Sequence, residues 1–214
     1  MKRLKILVLL LILCLIIPTQ IFCKKPLLLM NADTIASLSS GDIILFKHDE
    51  MSVLTKFITY FSHVGIVLKT NDQSYILENH AYGDATDINI NTGGVHLHNL
   101  HKRLITYKGN FQVLKLNVPL NNAQVNGLID TYHDRYKKFE FKDSLINDYI
   151  QECFLGTKKL NKYNCSEFIM TVLNDLGMNN KNVQCTVPDS FLDLPMYRLQ
   201  KQYFRFSGLL KRCN

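Results

Sequence analysis

The sequence predicts an α+β fold, a small antiparallel sheet or barrel early in the chain with helices packed against it later. Three observations predict it. Runs rich in β-branched and aromatic residues, DIILFK (42–47), HVGIVLK (63–69) and SYILENH (74–80), fall in the first half. Apolar residues at helical spacing mark 123–137 and 165–176 in the second half. Hydrophobic residues make up 47% of the 214, with no repeat and no Gly/Ser or Pro-rich linker, which suits a single core rather than disorder.

The elements follow in order. MKRLK is basic and ILVLLLILCLII (6–17) is continuously apolar, so residues 1–25 read as a signal peptide or a short uncleaved anchor. That run is shorter than the roughly 20 residues of a full membrane span. The domain is expected over 26–214, secreted or membrane-anchored. Residues 31–39 are weakly helical and close in a Ser39-Ser40-Gly41 turn. Residues 42–47 form a strand, and 51–61 form an amphipathic helix on Val53, Leu54, Phe57, Ile58 and Phe61. Strands 63–69 and 74–80 pair as a hairpin about the Asn71-Asp72 turn. Gly93-Gly94 opens the segment GGVHLHNL. Residues 111–118 alternate and stop at Pro119, which predicts a strand with one solvated side. Helices are expected over 123–137 and 165–176, the second stopped by Gly177. A short helix begins at Pro188-Asp189-Ser190, and strand character returns around 203–206.

The net charge of +7 does not point to a nucleic acid. Lys2, Arg3, Lys5, Lys24 and Lys25 lie in the leading segment, which leaves 20 basic against 18 acidic residues. One local excess, Arg198, Lys201, Arg205, Lys211 and Arg212 with Tyr203, Phe204 and Phe206, reads as a last strand with a solvated basic face. A membrane surface of anionic lipid is the alternative partner. Cys14 and Cys23 belong to the leading segment. Cys153, Cys165, Cys185 and Cys213 are too few for a disulfide scaffold, although Cys153 and Cys185 could pair in an oxidising compartment. His96, His98 and His101 have an H-x-H-x-x-H spacing but no acidic or cysteine partner nearby, so no metal and no cofactor are expected.

The chemistry concentrates in two stretches, SHVGIV (62–67) and YNCSEFI (163–169). Cys165 opens a predicted helix. Unpaired N–H groups and the positive end of the macrodipole favour a thiolate there, and the cysteine's own N–H is the usual candidate to hold a developing oxyanion. His63, on a strand face shared with Gly65 and Val67, can take the thiol proton and return it to a leaving group. Hairpin pairing can bring Glu78 beside it, where a carboxylate fixes the imidazole tautomer. His80 shares the Glu78 face and is the reserve for that orienting position, as is Asn79 if the strand bulges.

These blocks resemble the YiiX/YaeF-like family of circularly permuted papain-fold cysteine hydrolases, relatives of the NlpC-type peptidoglycan peptidases. The matching pieces are SGDIILFKH (40–48), SHVGIVL (62–68), YILENH (75–80), GGVHLHNL (93–100), YNCSEFI (163–169) and VPDSFL (187–192), in the family's order. The resemblance implies a permuted papain-like fold, with Cys165 as nucleophile, His63 as base and Glu78 as orienter. It also implies Tyr163, two before the cysteine, as a lining residue; His80 is a second candidate for substrate contact. Where the family often has a Tyr-Asp pair, this chain has Phe139-Glu140-Phe141, which leaves the pocket wall open to question.

The chemistry these residues imply is thiol acyl transfer through a thioester. By resemblance the substrate is a small-molecule, peptide or isopeptide amide, or a lipid acyl bond; acyltransferases related to lecithin:retinol acyltransferase share the permuted architecture. The alternative is a non-catalytic, membrane-attached binding or structural module that kept the fold.

Overall fold

The computed structural model describes residues 28–29, 32–47, 59–81, 93–107, 109–142, 162–179 and 186–205. The leading segment, most of the expected 51–61 helix and every cysteine except Cys165 lie outside the described residues. So do residues 206–214 of the basic tail. Among the described residues no helix is long and apolar enough to cross a membrane.

The architecture is α+β. Strands β1 (Leu28–Leu29), β2 (Ile43–Lys47), β3 (His63–Lys69), β4 (Ser74–His80), β5 (Gly94–Asn99), β6 (Asn110–Leu116) and β9 (Tyr197–Arg205) form one sheet. Its order is β1-β9-β6-β2-β3-β4-β5, an open sheet with edges at β1 and β5 rather than a closed barrel. All its pairs are antiparallel except β1 with β9. Two short strands, β7 (Glu140–Phe141) and β8 (Lys162–Tyr163), pair in parallel beside it. The helices are α1 (Ala32–Ala36), α2 (Leu100–Thr106), α3 (Asn122–Asp134) and α4 (Cys165–Asp175).

Period-2 alternation sorts the strands into two buried faces. Ile43, Leu45, Val64, Ile66, Leu68 and Leu77 enter one core with Val125 and Leu128 of α3 and Phe168, Ile169 and Val172 of α4. Ile44, Phe46, Val67 and Ile76 enter the other with Ile35 and Leu38 beside α1 and Leu100 and Leu104 of α2. Helices on both faces explain why HVGIVLK reads as nearly continuous apolar residues.

They also correct one expectation. The 111–118 strand was expected to have a solvated side, but β6 is buried on both faces. Phe111 and Val113 belong to one core and Leu114 and Leu116 to the other, and the register shifts between Gln112 and Leu114. Its polar Lys115 is partly exposed and donates its ammonium to Asp42 Oδ2 at 2.7 Å. The segment 188–194 forms a 3₁₀ helix, Pro188–Asp193, and the last strand starts at Tyr197, earlier than the sequence pattern suggests. Helix α2 was not expected at all.

Two glycines fix the hairpin region. Gly41 turns the chain into β2 at φ 93, and a Cβ there would meet Leu116 at 2.4 Å. Gly65 lies opposite Glu78, and a Cβ would meet Ile76 at 2.7 Å and the Glu78 Cβ at 3.4 Å. A side chain at Gly65 would therefore force the Ile76 side chain to shift, next to the residue that bonds His63.

Candidate active site

Cys165 is the first residue of α4. Asn164 caps the helix, its side chain accepting the Glu167 N–H at 2.8 Å while Glu167 accepts the Asn164 N–H at 3.0 Å. This capping box consumes the N–H of Glu167, while the Cys165 N–H belongs to the first turn, where an N–H has no acceptor within the helix. Glu167 is the acid in the helix's first turn, and the ammonium of Lys142, itself buried, donates to it at 2.6 Å. The lysine offsets a negative charge two residues from the thiol, a pairing the sequence pattern does not reveal. Cys165 is a free, buried thiol.

His63 starts β3 at the end of the sheet. Its ring bonds Glu78, and the Cys165 thiol lies near enough to raise its basicity. The Glu78 contact is between Nε2 and Oε2 at 2.8 Å. A carboxylate can only accept, so Nε2 carries the proton and donates, and Nδ1 is the nitrogen left for the sulfur. Burial lowers the basicity of His63 and so does the charge of His80, but Cys165 and Glu78 outweigh both. The net direction is upward from the ordinary histidine value.

Glu78 is wholly buried and collects donors at both oxygens. Oε2 accepts from His63 and from Arg103 Nη2 at 3.2 Å; Oε1 accepts from Arg103 Nε at 2.7 Å and lies 3.2 Å from His80 Nε2. Burial would raise its pKa, but the Arg103 guanidinium, followed by His80 and the bond from His63, holds it well below the carboxylate range. The three candidates for base, orienter and nucleophile thus form one connected chain of contacts.

The remaining expected residues fall as follows. Tyr163 lies half-buried on β8 and packs on Phe139 with ring centroids 4.8 Å apart, both against the core that holds Phe168. Asn79 faces away from Glu78 and donates Nδ2 to the Tyr163 carbonyl at 2.8 Å, tying β4 to the segment that carries Cys165. His80, expected to contact substrate, is wholly buried and stacked behind His63, centroids 4.5 Å apart. It backs the base; its burial leaves no surface for a substrate.

Arg103 is the chief residue sequence reasoning passed over. It is wholly buried, and its guanidinium lies 4.6 Å over the Phe46 ring. The available signal was its place between Leu100 and Leu104 on the inner side of α2. A second is Asp189 in VPDSFL. Its carboxylate accepts the Tyr60 N–H at 2.7 Å, the Phe61 N–H at 3.0 Å and the Thr59 hydroxyl at 2.9 Å. It therefore clamps the turn that delivers His63. Replacing Asp189 with alanine is expected to cost about 1–3 kcal/mol in urea unfolding, because three donors of the turn, two of them part-buried, lose a charged acceptor.

Among the described residues, His63, Glu78 and His80 form the group whose donor atoms, all within 4.8 Å of one another, could hold a metal ion. The fit is poor. Both Glu78 oxygens already accept bonds from Arg103, so a dication there would meet the guanidinium at close range. The H-x-H-x-x-H run is split: His96 and His98 stack on β5, centroids 5.4 Å apart, while His101 is exposed on α2.

No family model matches the chain, and no curated protein matches it. Among the solved structures, one to which the chain is similar is the metalloprotein yiiX from Escherichia coli O157:H7. Sequence identity is 20%, the match covers 76% of this chain and 96% of that one, and the TM-score is 0.41.

Proposed function

We propose that this chain is a thiol hydrolase or acyltransferase acting on an amide or acyl-lipid bond through a thioester on Cys165. One observation carries the reading: the His63 ring is hydrogen-bonded to the Glu78 carboxylate and lies near enough to the Cys165 thiol for the sulfur to raise its basicity. In this scheme His63 Nδ1 takes the thiol proton as the sulfur attacks the carbonyl carbon. The Cys165 N–H, in the first turn of the helix, steadies the oxyanion. Collapse of the tetrahedral adduct breaks the bond to the amine or alcohol, which leaves with the proton from His63. Water or a second acceptor then attacks the thioester, and the thiol is restored. The aromatic pair of Phe139 and Tyr163 favours an apolar acyl or side-chain group next to the scissile bond. The apolar leading segment supports action outside the cytoplasm or at a membrane, and peptide and lipid substrates are both within this chemistry.

The test is intact mass spectrometry after incubation with activated esters of short and long acyl chains. An adduct of one acyl group on Cys165, absent in Cys165→Ala and much reduced in His63→Ala, is the expected result. Equal modification of Cys153, Cys185 and Cys213 would overturn it and favour a non-catalytic module.

A further inference from the structure

We propose that Arg103 is a positioning residue for the Cys165–His63 pair, acting through Glu78 to decide which ring nitrogen of His63 carries the proton. The proposal rests on the acyl-transfer reading above for its purpose, but the proton's position can be measured without any substrate.

Glu78 has no exposed surface, and burial alone favours the neutral acid. A neutral Glu78 would hold an O–H and would need an acceptor. Arg103 has none to offer, since guanidinium only donates. The nearest atom able to accept is His63 Nε2, at 2.8 Å. Accepting there would leave the neutral ring with its proton on Nδ1, the nitrogen that must be bare to take the thiol proton. The pair would then be assembled yet inert.

Arg103 blocks that state. It bonds both Glu78 oxygens, at 2.7 and 3.2 Å, and its charge is permanent. It is held in place by the Phe46 ring at 4.6 Å and the Tyr107 ring at 5.3 Å. Among the described residues the other titratable groups facing Glu78 are histidines: His63 on β3, His80 on its own strand, and His96 and His98 on the neighbouring β5. Cys165 lies beyond His63 on α4. Imidazoles add positive charge only when protonated, so Arg103 is the one facing group here whose charge does not change across the neutral range. Its place on an otherwise unremarkable seven-residue helix follows: Leu100 and Leu104 anchor α2 so that Arg103 points inward.

The test uses the full chain labelled with ¹⁵N-histidine, with the tautomer of His63 read by NMR across the neutral range. The wild type is expected to keep a proton on Nε2 throughout, with Nδ1 protonated as well below the raised value of His63. Arg103→Gln is expected to show a neutral ring with Nδ1–H and a bare Nε2 at about pH 6, with Nε2–H returning as the pH rises and Glu78 ionises. Arg103→Lys, which keeps a cation, is expected to restore Nε2–H. Cys165 alkylation by iodoacetamide should fall at least about tenfold in Arg103→Gln at the same pH and recover in Arg103→Lys. A folded Arg103→Gln that keeps Nε2–H throughout would overturn the proposal. Should that variant not fold, the wild type decides: the carboxylate infrared band of ¹³C-glutamate-labelled protein must show Glu78 ionised at about pH 4.5, and a protonated Glu78 there would overturn it equally. Failure of the acyl-transfer reading alone would leave the tautomer result unchanged.

Discussion

His63→Ala is expected to lower turnover of an acyl substrate by about 10²–10⁴-fold, the usual contribution of a positioned general base. The size follows from where the ring sits. In the proposed scheme it accepts the Cys165 proton, and its other nitrogen bonds Glu78 at 2.8 Å. Steady-state kinetics on the acyl ester that labels Cys165 most readily would measure the loss, and a decrease smaller than about fivefold would remove His63 from the mechanism. The fold should survive, since Val64, Ile66 and Leu68 still fill one core and Val67 the other. The stability difference has a definite sign. The basicity of His63 is raised in the folded state, so its stabilising contribution is fully present below the ordinary value of 6.5. It is lost as the pH rises through the folded value. The gap between wild type and His63→Ala in urea unfolding should therefore narrow above neutrality.

What could be read from the sequence and what could not divide along a physical line. HVGIVLK and SYILENH became β3 and β4 with the expected ends because a hairpin turn and β-branched residues are local signals. That register places Glu78 opposite Gly65, two residues from His63 on the same face, so the base and its carboxylate were legible as a pair. The capped helix that begins at Cys165 was legible for the same reason. The polar network behind the pair was not. LHKRLIT carries no helical pattern strong enough to declare α2, and an arginine in it reads as solvated until its counter-ion is known. Lys142 is the same case, a cation paired with Glu167, 25 residues away. β6 misled because alternation shows which side chains share a face but not whether α1 or α2 covers the other one. Long-range burial of charge is what single-sequence patterns do not encode.

That buried charge makes the second large effect one of stability. Glu78→Gln is expected to destabilise the fold by about 3–5 kcal/mol near pH 7, because Arg103 stays buried and loses its counter-ion. Glutamine preserves the shape, so the loss measures charge rather than packing. The size depends on pH in a fixed direction. Glu78 is held well below the ordinary 4.5, so its contribution is present above that value and is lost as the pH falls through the folded one. Wild type and variant should thus differ most at neutral pH and converge in strong acid. Double replacement, Glu78→Gln with Arg103→Met, removes both charges and should recover a large part of the loss, since an uncompensated buried cation costs more than an apolar side chain in its place. Urea unfolding of the four proteins closes the cycle. If the double variant is no more stable than Glu78→Gln, the carboxylate is held by its histidine neighbours, and the guanidinium is a bystander beneath the sheet.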